Sequence, residues 1–124
     1  MTTLLYIAAF LTFAIGIVHS VLGERYILIS LFRRNNLPKL FGGTEFTSLT
    51  LRFAWHITTI AWWGFSAILV MLAEQSFSFS SISMVLAVTF LTTGGVALIA
   101  SRGKHLSWIV FLFIGGVSLY AAIT

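Results

Sequence analysis

The chain has 124 residues, of which 59% are hydrophobic and only 8% charged, with a net charge of +4. A soluble domain carries roughly 25% charged residues, so this composition belongs to an integral membrane protein. The positive charge is not a nucleic-acid signal, because that needs Lys and Arg gathered on one exposed face. The lack of cysteine excludes disulfides, thiolate catalysis and cysteine-ligated metals.

The first element is an apolar run from Leu4 to Phe32, interrupted only by the cluster His19-Ser20-Val21-Leu22-Gly23-Glu24-Arg25. A helix needs roughly 20 apolar residues to cross a bilayer. The run is too long for one straight crossing and too short for two. Span one is therefore placed at 4–23, and the cluster marks its meeting with the interface. The start of the chain lacks the positively charged region and cleavage site of a signal peptide, so this stretch is expected to be a retained span. Ala8, Thr12, Gly16, Ser20 and Glu24 recur every four residues. They form a stripe of small side chains suited to close helix contact in lipid, ending in a carboxylate. Tyr26 to Arg34 is expected to be a short interfacial helix or a bent continuation of span one, with Gly23 as the bend. Asn35, Asn36 and Pro38 end it, and Gly42-Gly43-Thr44 is a turn at the membrane surface.

Span two is placed at 51–72, span three at 82–100 and span four at 105–123. The connection Glu74–Ser81 is polar with two interface aromatics, Phe77 and Phe79. The pairs Gly94-Gly95 and Gly115-Gly116 are expected to pack or bend helices. The expected fold is all-α: a single membrane domain over 1–124, a four-helix transmembrane bundle of up-down-up-down order with a short interfacial helix after span one. All seven Lys and Arg residues (Arg25, Arg33, Arg34, Lys39, Arg52, Arg102 and Lys104) fall on one side of these spans. The positive-inside rule then puts the basic loops in the cytoplasm and both termini outside, periplasmic if the setting is a bacterial inner membrane. So uniform a bias argues against insertion in both directions.

The three histidines, His19, His56 and His105, lie near the cytoplasmic ends of three different spans. They sit about 9, 6 and 1.5 Å inward of the nearest basic residue at 1.5 Å per residue, with Glu24 and Ser20 in the same region. In span two, Arg52, His56, Thr59, Trp63 and Ser66 share one helix face, and Trp55 and Trp62 occupy the adjoining one.

Several chemistries fit this constellation. His19 and His56 could hold a haem b between helices, with Arg52 or Arg25 at its propionates and Trp55 or Trp63 lining the ring. His19, His56 and His105 with Glu24 could instead coordinate a transition metal. No HxxH, HxxxH, HExxH or CxxCH spacing is present. His19 and Glu24 could exchange protons in a small transporter working as a homodimer, although span two turns wholly apolar beyond Ser66. The leading reading is a structural one. The histidines hydrogen-bond within the chain, Glu24 pairs with Arg25 or Arg52, and the protein is an accessory or structural subunit contacting membrane lipid and a homodimer partner or larger membrane complex. No paired carboxylates, Ser-His-Asp arrangement or other catalytic set is recognisable.

The stretches Gly16–Arg25 (HSVLGER within it) and Ala54-Trp55-His56-Ile57-Thr58-Thr59, with a third at Arg102–Trp108, resemble those of small, uncharacterised four-span bacterial membrane proteins. The resemblance covers most of the chain. It implies the four-span fold and no activity.

Overall fold

A computed structural model describes residues 1–124 and is helical throughout. Helix α1 spans Thr2–Leu22, a π-helical segment follows at Gly23–Leu28, and α2 covers Ile29–Phe32. Helix α3 spans Glu45–Glu74, α4 Phe79–Ala100 and α5 Ser107–Ile123. The separate interfacial helix expected after span one is not formed. Residues 2–32 make one continuous helix, because nothing between Gly23 and Phe32 removes a backbone donor. The ladder instead widens by one residue, and the Ile29 N–H reaches the Glu24 carbonyl. Gly23 is not a break in this path: its backbone is right-handed helical at φ −60° and ψ −48°.

The helix ends follow local chemistry. Around Phe41 (φ 54°) and Gly42 (φ 86°) the chain reverses in a tight turn closed by Leu40 and Gly43. Thr47 Oγ1 then donates to the Pro38 carbonyl at 2.8 Å, fixing the start of α3. That helix begins six residues ahead of the apolar stretch at Leu51. Gln75 ends it in the left-handed conformation, and the Ser76 N–H returns to the Met71 carbonyl. Ser78 and Ser81 form a reciprocal capping box that starts α4 at Phe79, three residues before the apolar run. Past Ala100, Arg102 Nη1 and Lys104 Nζ both bond the Glu45 carboxylate at 2.7 Å, tying the α4–α5 turn to the head of α3. Glu45 lies outside the apolar 51–72 segment. The hydrogen bond and charge of Lys104, then the charge of Arg102, hold its carboxyl below the ordinary carboxylate range.

The helices pack in chain order: α1 with its π continuation on α3, α3 on α4, and α4 on α5. Helices α1 and α5 lie at opposite ends of this row. Only 16 of the 124 residues are buried, so the large apolar side chains of α1 and α5 point outward. Three helical segments, 2–32, 45–74 and 79–100, are long and apolar enough to cross a membrane. The fourth, α5, has 17 residues, about 26 Å of helix.

The α4/α5 seam uses one glycine from each pair. A Cβ on Gly94 would meet Leu112 at 2.7 Å, and one on Gly115 would meet the Leu91 side chain at 2.7 Å and its backbone N at 2.8 Å. Gly95 and Gly116 meet nothing within 4 Å. Backbone cannot retreat as a flexible side chain can. Gly115→Ala is therefore expected to destabilise the protein by about 1–3 kcal/mol, and Gly116→Ala to change it by less than about 0.5 kcal/mol. Thermal unfolding of the two purified variants in detergent checks this, and equal midpoints would rule out the seam as described.

Candidate functional site

A row of polar side chains lines the α1/α3 seam. Four α3 side chains donate to four α1 backbone carbonyls. Trp55 Nε1 reaches His19 at 3.0 Å, Thr59 Oγ1 reaches Gly16 at 3.0 Å, Trp63 Nε1 reaches Phe13 at 3.2 Å, and Ser66 Oγ reaches Ala9 at 2.8 Å. At the far end the Tyr6 hydroxyl meets Glu74 at 3.4 Å. The acceptors fall three or four residues apart, so they lie on one face of α1. Access to them requires small side chains there. A Cβ on Gly16 would sit 2.9 Å from Trp63 Nε1, and one on Gly23 would overlap the Trp55 indole.

His19 and Trp55 form a reciprocal pair. His19 Nε2 donates to the Trp55 carbonyl at 3.2 Å, since a carbonyl can only accept. The two rings stack with centroids 4.5 Å apart and planes 2° from parallel. Trp62 closes on the same imidazole at 4.9 Å.

Beside this pair runs a chain of polar atoms. Arg52 Nη2 bonds Glu24 Oε1 at 2.9 Å, and His56 Nε2 lies 3.1 Å from Glu24 Oε2. His56 Nδ1 is 2.9 Å from Ser20 Oγ, which is 2.7 Å from Thr59 Oγ1. Glu24 thus pairs across helices with Arg52. Arg25, its neighbour in sequence, lies over the Tyr26 ring instead, and the Arg52 guanidinium also covers the Phe32 ring at 5.0 Å.

The shared face expected for Arg52, His56, Thr59, Trp63 and Ser66 is the face that α3 turns to α1, and Trp55 joins it. His105 does not join this group. It precedes α5, where its Nδ1 bonds Ser107 Oγ at 2.8 Å and its ring packs on Phe46 and Phe53 of α3. The metal set of His19, His56, His105 and Glu24 is therefore not assembled, and no group of three or more His, Cys, Asp or Glu side chains is placed to hold a metal ion. The residues considered for a haem are bonded or packed within the seam. Both ring nitrogens of His56 are engaged, His19 Nε2 is committed to a carbonyl, Trp55 covers His19, and Trp63 stacks on Phe13.

Ser20, Thr59 and Ser66 are the members the sequence did not single out as site residues. Each carried a signal: Ser20 lies in the small-residue stripe, and Thr59 and Ser66 on the polar face of span two. Compared with known proteins, the chain matches no family model, no curated protein and no solved structure.

Proposed function

We propose that the protein is a small four-span membrane protein acting as an accessory or structural subunit, its α1 and α3 held together by the His19–Glu24/Arg52–Ser66 hub. The spans run up-down-up-down, in the orientation the basic loops favour, with the hub near the cytoplasmic face of a bacterial inner membrane. One observation carries this reading: the donors of the seam end on backbone carbonyls. A carbonyl acceptor cannot pass a proton on, so these bonds fasten helices and do not relay charge. In lipid, where helices gain nothing hydrophobic from pairing, an interhelical hydrogen bond contributes on average about 0.6 kcal/mol. Four of them, with close packing at Gly16 and Gly23, make α1/α3 a stable unit. The outward apolar faces of α1 and α5 are left for lipid and for the larger assembly.

Native mass spectrometry and an optical spectrum of protein purified in mild detergent, after haem- and metal-replete growth, test the proposal. The expected result is a defined assembly with partner subunits and no stoichiometric chromophore. A Soret band lost in His56→Ala, or proton-driven flux by the protein alone in liposomes, would overturn it.

A further inference from the structure

The hydrogen atoms of the hub can be counted, and the count does not close without an extra proton. The contact between Thr59 Oγ1 and the Gly16 carbonyl consumes the only hydrogen Thr59 has. Thr59 must therefore accept from Ser20, 2.7 Å away. That consumes the Ser20 hydrogen, so Ser20 accepts from His56 Nδ1 at 2.9 Å, which must carry a hydrogen. A neutral imidazole has only one N–H. Its Nε2 would then aim a lone pair at Glu24 Oε2, 3.1 Å away. Two acceptors cannot bond each other, so a second hydrogen must lie between them.

We infer that His56 and Glu24 together form a proton-binding site, and that its proton sets the direction of the Ser20 and Thr59 hydroxyls. The inference rests on the hub proposed above as the fastening of α1 to α3, and adds what ligand controls it. With the proton bound, the favoured arrangement is imidazolium against carboxylate, because Arg52 holds the other Glu24 oxygen at 2.9 Å. Arg52, Glu24 and His56 then sum to one positive charge. When the proton leaves to solvent the sum is zero. The remaining imidazole hydrogen moves to Nε2 to keep its bond to Glu24, and Nδ1 becomes an acceptor. Ser20 turns to donate to Nδ1, Thr59 turns to donate to Ser20, and the Gly16 carbonyl loses its bond from α3. Deprotonation at one end of the hub thus undoes a helix–helix bond at the other end.

The surroundings leave this pair isolated. On the α1 side, His19 is turned to Trp55 and Arg25 to Tyr26. On α3, Arg52 faces Glu24. Around the α4–α5 turn, Arg102 and Lys104 are bound to Glu45 and His105 to Ser107. The pair sits at an edge of the seam, with the His56 side chain 29% and that of Glu24 31% exposed.

The test is NMR of the full-length protein in lipid, with 15N in the histidine rings and 13C in the Gly16 carbonyl, followed across a broad pH window. The expected result is one shared midpoint. His56 passes from two protonated nitrogens to a neutral Nε2–H ring as the Gly16 carbonyl shifts toward its less hydrogen-bonded value. In Thr59→Val, which keeps the side-chain shape, His56 still titrates but the Gly16 signal stays flat. A Gly16 signal that is flat in the unsubstituted protein, or a His56 ring that is neutral throughout the window, overturns the inference. Either outcome leaves the fastening role standing, because α1/α3 contact is reported separately by the thermal midpoint.

Discussion

Gly23→Ala is expected to lower stability by about 2–4 kcal/mol, more than any other single-methyl addition in the chain. The added Cβ would lie inside the Trp55 indole. A ring of that size cannot yield without leaving its place, so the hydrogen bond to the His19 carbonyl and the stacking on the His19 imidazole are lost with it. Overpacking of this kind costs about 1–3 kcal/mol, and the lost interhelical bond and stacking add about 1 kcal/mol. Thermal unfolding measures the loss. Tryptophan fluorescence reports its location, since Trp55 would move out of a stacked setting. Gly95→Ala is the matched control, because its Cβ meets nothing within 4 Å. Indistinguishable midpoints for the two variants would show that the indole does not occupy the slot.

Glu24→Ala is the second large effect. It strands the Arg52 guanidinium, whose Nε already lacks a partner, and leaves His56 Nε2 facing no acceptor. Removing one partner of a fully buried pair costs about 3–5 kcal/mol. The Glu24 and Arg52 side chains are 31% and 43% exposed, which reduces the expected loss to about 1–3 kcal/mol through solvent screening. Arg33→Ala and Arg34→Ala, in the turn after α2, are expected to change stability by less than about 0.5 kcal/mol. A double-mutant cycle with Arg52→Ala isolates the pair, and a coupling near zero, or equal losses for Glu24 and Arg33, would contradict the arrangement.

These residues show what sequence alone could convey. The all-helical class followed from the lengths of apolar runs. The common face of Arg52, His56, Thr59, Trp63 and Ser66 followed from helical spacing, because both depend only on rise and angle per residue. The partners of that face did not follow. Depth along a helix says that His105 lies near one end of its span, but not that its ring packs on Phe46 and Phe53 while its Nδ1 turns to Ser107. Spacing likewise identifies Gly23 as small and cannot reveal the indole that needs the space. The continuous passage from α1 into α2 was hidden for another reason: a shift of the backbone ladder by one residue has no compositional mark.

The helix row has a consequence for how the molecule comes together. Each helix touches chiefly the one before and the one after it, so each interface joins two helices that are consecutive along the chain. The α1/α3 and α4/α5 seams, each built on its own interlocking small residues, can close as two hairpins in the order of synthesis. Neither half has to wait for the other end of the chain to complete its own interface.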